Sequence, residues 1–115
     1  LLIGDLGAGK TTFVKGLARG LNIDPDEVLS PTFVLLREYK GEVSLYHADA
    51  YRTESPSELV EIGGTDYFNS DGIFVIEWGD RWESLAPADS MRIEIELLGG
   101  DQRKIRIESV FPLDL

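Results

Sequence analysis

The sequence predicts an α/β fold with a central, mainly parallel sheet flanked by helices, and three observations predict it. A short apolar strand end, Leu1-Leu2-Ile3, runs into a glycine-rich loop and then into an amphipathic helix. A continuous apolar run, Ile73-Phe74-Val75-Ile76, stands far downstream and reads as a strand buried on both faces of a parallel sheet. Two pairs of alternating segments, each joined by a short glycine-containing turn, add antiparallel hairpins and make the sheet mixed.

The elements follow in order. Phe13, Val14, Leu17, Ala18 and Leu21 recur at helical spacing, and Gly20 and Asn22 suit a C-terminal cap. Asp24 before Pro25 reads as the cap of one short turn. Thr32 to Tyr39 reads as a strand, Lys40-Gly41-Glu42 as a turn, and Val43 to Asp49 as a returning strand. That strand carries Val43, Leu45, His47 and Asp49 on one side. Ser55-Pro56-Ser57-Glu58 has capping-box spacing and starts a helix through about Ile62, which Gly63-Gly64 ends. Arg92 to Leu98 and Lys104 to Val110 alternate around Gly99-Gly100-Asp101-Gln102 as a second hairpin. With no internal repeat and no low-complexity tract, residues 1–115 are expected to form a single domain.

Composition narrows the function classes. Hydrophobic residues make up 43% and charged residues 28%, ordinary for a globular domain and too apolar for disorder. The longest apolar runs, Phe33 to Leu36 and Ile73 to Ile76, fall far short of the roughly 20 residues that span a bilayer. The absence of cysteine excludes disulfides, cysteine nucleophiles and thiolate metal sites, and suits a reducing cytoplasm. The net charge of -10 makes the chain a poor non-specific binder of nucleic acid or anionic membrane. The charge is concentrated in residues 41–91, with eleven acids and two bases, either as a solvated surface or as a docking face for a basic partner. The opening inside an apolar segment, without methionine, leads us to expect residues ahead of Leu1. The sequence at hand shows no signal-peptide pattern.

Gly4-Asp5-Leu6-Gly7-Ala8-Gly9-Lys10-Thr11 matches G-x-x-x-x-G-K-[ST] at every fixed position. Gly4, Gly7 and Gly9 permit backbone angles and close approaches that a Cβ would forbid. The freed N–H groups converge on an anion, and the helix starting near Lys10 points its positive end at the same place. Lys10 suits the β- and γ-phosphates as a point charge, and the Thr11 hydroxyl suits Mg²⁺. A chance match in a chain this long is on the order of a few in a thousand.

Such a loop needs a second group on the metal and something to orient the attacking water. Glu77, closing the Ile73–Ile76 run, stands where open α/β sheets place their ligands, at the carboxyl end of a strand. The pattern alone leaves open whether it is a surface glutamate. Trp78 reads as core or as a platform near a nucleotide. His47 on its own reads as a structural histidine, Asp49 as a turn acid and Thr32 as an ordinary strand-start residue. Some phosphate-loop proteins place a γ-phosphate-sensing threonine in the corresponding loop.

The combination GDLGAGKTT, SPTF, HADAYR and IEWGDR, in this order and spacing, closely resembles the TsaE family, bacterial ATPases needed for the threonylcarbamoyladenosine modification of tRNA. The resemblance runs from Leu1 to about Val110. It implies that Gly4, Asp5, Leu6, Gly7, Ala8, Gly9, Lys10, Thr11 and Thr12 hold the phosphates, with Lys10 on the β- and γ-phosphates and Thr11 on Mg²⁺. It assigns Thr32 as the switch threonine, Asp49 as the aspartate of the H-x-D-x-Y-R motif, Glu77 as the second acid beside Mg²⁺ and Trp78 as the tryptophan after that acid. Asp49 and Glu77 are the candidates to orient the water, the alternative being that both serve only the metal. The resemblance further implies ATP as substrate and TsaB- and TsaD-type proteins as partners, with hydrolysis resetting their complex, while the acidic chain itself predicts no direct contact with tRNA. The family usually has about thirty more N-terminal residues that help enclose the adenine. Three rivals remain. A small-molecule kinase would need an arginine-rich lid, which the sequence does not show. A GTPase-like switch would need an N-K-x-D sequence, which is absent. A nucleotide-gated interaction module would consume no ATP. Arg52 and Arg81 are possible arginine fingers, although ion pairing in an acidic region is the expected role of both.

Overall fold

A computed structural model describes residues 1–5, 7–28, 36–51 and 53–112, apart from the side chain of Asn69. Six strands form one sheet: β1 (Leu2–Gly4), β2 (Leu36–Tyr39), β3 (Leu45–Asp49), β4 (Ile73–Glu77), β5 (Arg92–Gly99) and β6 (Gln102–Glu108). Their order across the sheet is β2-β3-β4-β1-β5-β6. The four inner strands run parallel, and β2 and β6 close the two edges as antiparallel hairpin strands. This is the expected mixed, mainly parallel sheet.

Helix α1 (Lys10–Gly20) covers one face. Its Val14 and Ala18 join Leu2, Leu45, Val75 and Ile95 in one apolar core. The short helix α2 (Ser57–Glu61) and the 3-10 turns Gly64–Asn69 and Gly79–Trp82 lie on the other face. There Leu59, Trp82 and Ile76 form a second core with Ala48 and Ala50. Trp82 is fully buried, and its indole N–H donates to Thr53 Oγ1 at 3.0 Å, which satisfies the polar end of a large apolar side chain. Among the described residues, no helix is long and apolar enough to cross a membrane.

Register decides where functional groups land. Asp49 pairs with Glu77 across β3 and β4, and Leu2 pairs with Glu77 across β1 and β4. The carboxyl ends of these parallel strands therefore share one rim, and β1 delivers the glycine loop to it.

Several local expectations shift. Asn22, not Gly20, takes the left-handed position after α1, with φ 58. Asn22 N–H donates to Arg19 O and Ile23 N–H to Ala18 O, the paired bonds that close a Schellman end. α2 starts at Ser57 rather than just after Ser55, because the two serine hydroxyls bond each other. Glu58 reaches past Ser55 to accept the N–H of Glu54. β4 is buried only from Val75 to Glu77. Ile73 remains 37% exposed, because the amino ends of the strands border an open apolar cleft of about 600 Å³ between Leu1, Phe13, Leu17, Phe74 and Met91. β6 runs Gln102–Glu108, so Val110 lies outside it and is exposed. The first part of the expected Thr32–Tyr39 strand, up to residue 35, lies outside the described residues.

Gly4 shows how tightly the loop is seated. A Cβ there would stand 2.7 Å from Ile95 O and 3.2 Å from Ala8 Cβ. Gly4→Ala is expected to destabilise the protein by about 1–3 kcal/mol in urea titration. Gly16→Ala, where a Cβ meets nothing within 4 Å on the exposed side of α1, should instead stabilise by roughly 0.5–1 kcal/mol.

Candidate functional site

The site begins with the loop between β1 and α1. Gly9 caps α1 at φ 109, a conformation that an L side chain rarely adopts. Glycine at the cap brings no side chain to the first-turn N–H groups, and the positive end of the helix dipole lies behind them, an arrangement able to cradle an anion. Ala8 is buried beneath it, and its N–H closes a turn onto Asp5 O at 3.0 Å.

Lys10 is buried and folded back over its own loop. Its ammonium donates to Gly4 O and, at 2.9 Å, to Asp5 O, and it lies 4.1 Å from the centre of the Trp78 ring. Burial draws the Lys10 pKa below the ordinary lysine value, while the charges of Glu77, Asp49, Asp5 and Asp80 oppose the shift. Trp78 is half-buried at φ 58, turning the chain sharply as β4 ends, and its ring also packs on Tyr51 at 4.8 Å. Trp78 thus sits beside the loop as well as against the second core.

Glu77 is 5% exposed. Thr11 Oγ1 lies 3.5 Å from each of its carboxylate oxygens, beyond the usual O–H···O range, so the two groups face each other without closing together. His47 Nε2 lies 2.5 Å from Glu77 Oε2. Asp49 stands beside Glu77 on the same rim and accepts the N–H of Tyr51 at 2.8 Å. Burial, joined by the like charge of Glu77, lifts the Asp49 pKa above the usual carboxylate range against that hydrogen bond.

The structure therefore brings Asp5, Gly7, Ala8, Gly9, Lys10, Thr11, Thr12, Asp49, Glu77 and Trp78 to one end of the sheet. Leu6, Thr32 and Arg52 lie outside the described residues. Among the described residues Arg81 makes no ion pair of the kind expected of it: its guanidinium donates to Thr53 O and lies over the Tyr51 ring. Sequence reasoning missed two contacts. One joins His47 to Glu77. The other is Arg103 of β6, whose Nε donates to Ala8 O at 3.1 Å and ties the glycine loop to the far hairpin.

Among the described residues, no three His, Cys, Asp or Glu side chains group to hold a metal by themselves. The donors present are hard oxygens, one hydroxyl and one or two carboxylates, beside an anion cradle. This set fits Mg²⁺, which is held by few protein oxygens and completed by phosphate and water.

A glycine loop between the first parallel strand and its helix, with an acid on the neighbouring strand, defines the phosphate-loop class of α/β proteins. The profile of the threonylcarbamoyl adenosine biosynthesis protein TsaE matches residues 1–105, and the chain belongs to that family. It is 44% identical over 107 residues to the tRNA threonylcarbamoyladenosine biosynthesis protein TsaE of Treponema pallidum, covering 93% of this chain and 78% of that protein. It is also 44% identical over 110 residues to the protein of the same name from Bacillus subtilis, covering 95% of this chain and 68% of the relative. The crystal structure of Bacillus subtilis YdiB superposes with a TM-score of 0.72 at 37% identity, covering 96% of this chain and 66% of that one.

Arg103 acts at a distance of 95 residues along the chain. Arg103→Met is expected to speed amide hydrogen exchange at Gly7 to Lys10 while changing global stability by no more than about 0.5 kcal/mol. Unchanged exchange in the loop would remove Arg103 from its support.

Proposed function

We propose that this chain is a Mg²⁺-dependent ATP hydrolase serving threonylcarbamoyladenosine biosynthesis, whose turnover cycles the threonylcarbamoyl-transfer complex. The observation that carries this reading is the Thr11 hydroxyl facing the buried Glu77 carboxylate beside a glycine-capped helix start. Family membership supports the pathway.

Lys10 exchanges the carbonyls of Gly4 and Asp5 for the β- and γ-phosphates, and the loop N–H groups wrap the same oxygens. Thr11 and Glu77 would hold the metal, with Asp49 beside them, and the metal would neutralise phosphate charge. Water attacks the γ-phosphorus, the bond to the β–γ bridging oxygen breaks, and ADP and phosphate leave. Asp49 or Glu77 accepts a hydrogen bond from that water and sets its line of attack. Trp78 packs alongside Lys10 and keeps that part of the site dry.

The proposed partners are TsaB- and TsaD-type proteins, and the proposed compartment is the cytoplasm. The net charge of -10 argues against direct tRNA binding, so the tRNA is reached through the partners.

Phosphate release from ATP, measured with and without the two partner proteins, tests the reading. Release that rises when they are added supports it. Transfer of phosphate to a metabolite, or nucleotide binding without release, overturns it. Lys10→Ala is expected to abolish the heat of Mg·ATP binding. Glu77→Ala and Asp49→Ala should keep nucleotide binding and lose turnover, by about 10²–10³-fold for a group acting on the transition state. Full turnover in both acid variants would sink the role assignment.

A further inference from the structure

We propose that His47 is a positioning residue for the hydrolytic site. Its imidazole holds one oxygen of the Glu77 carboxylate and turns the group toward Thr11. This rests on the function proposed above.

His47 is fully buried on β3, on the same side of the strand as Asp49 and diagonal to Glu77 on β4. Its Nε2 meets Glu77 Oε2, while both Glu77 oxygens stand equidistant from Thr11 Oγ1. Among the described residues the other ring nitrogen, Nδ1, is buried with no hydrogen-bond partner, so the polar contact of the ring is the one to Glu77.

An imidazole fixed on the neighbouring strand holds Glu77 Oε2 and keeps the carboxylate facing Thr11. Carboxylates that ligate metals are commonly held in this way by an outer hydrogen bond.

The chain has one histidine, so imidazole nitrogen NMR of the intact protein reads His47 alone. Glu77→Gln is expected to shift the Nε2 resonance more than that of Nδ1, and an Nε2 resonance left unmoved would overturn the proposal. The second measurement compares His47→Leu with His47→Gln, whose side-chain N–H reaches the Nε2 position. Mn²⁺ binding to the ADP-loaded protein and kcat for Mg·ATP are the readouts. Leucine is expected to weaken metal binding or kcat by about 10–100-fold while metal-free nucleotide affinity holds, and glutamine to restore most of the loss. A folded His47→Leu protein with metal affinity and kcat unchanged, or a folded glutamine variant as impaired as leucine, would also overturn it. If the leucine variant fails to fold, the glutamine variant and the ring signature still decide. A wild-type protein that binds nucleotide but releases no phosphate would instead sink the hydrolytic reading, leaving the ring signature to judge the contact.

Discussion

A carboxylate buried at the end of a parallel strand is costly unless its oxygens are held, and Glu77 imposes that condition on everything around it. His47 holds one of those oxygens, and three parts of the chain gather around the group. β3 supplies His47 and, two residues on, Asp49. α1 supplies Thr11. β1, paired with β4 at Leu2 and Glu77, brings the glycine loop to the same level. A one-residue slip of β3 against β4 would turn His47 and Asp49 to the opposite face, with the Ala48 and Trp82 core. Cores on both faces of the sheet therefore protect the site, since they make such a slip expensive on both sides at once.

Lys10 illustrates how the loop keeps its shape before any ligand arrives. A buried ammonium needs partners, and it finds them in the carbonyls of Gly4 and Asp5 and in the face of Trp78. On the proposed reading, the lysine exchanges these partners for phosphate oxygens rather than being fetched from solvent. The net gain is then a difference between two satisfied states, which keeps binding reversible enough for turnover. Trp78 can lie flat beside Lys10 because the left-handed backbone at its position turns the chain immediately after Glu77. The adjacent residues Glu77 and Trp78 thus serve one site from one turn.

Local chemistry was legible in the sequence, and contacts across the sheet were not. The glycine loop and its helix are encoded within a dozen residues, and each residue type has a local reason. Glu77 was visible as an acid closing an apolar run, because strand ends of parallel sheets are where such groups act. His47 carried no such signal: its partner lies 30 residues away, and only the parallel register of β3 with β4 joins them. Arg103 was hidden for the same reason over a longer span. The errors near α2 have another origin. A capping-box spacing does not say which hydroxyl will bond which neighbour, and Ser55 bonds Ser57 instead of starting the helix. For β4, the apolar run identified the strand but could not show that its first residues face an open cleft.

Charge poses the remaining physical problem, since an acidic chain is being asked to hold a polyanion. Lys10 is the buried cation at the loop, and Glu77, Asp49, Asp5 and Asp80 all act on it. The helix start contributes roughly half a positive charge, still less than these acids carry. Taken without a cation, the rim repels a triphosphate. A divalent ion seated between Thr11 and Glu77 reverses the sign of the local field, because the ion is then the largest charge present. On the proposed reading, the acids that oppose bare nucleotide would favour binding of the nucleotide together with its metal.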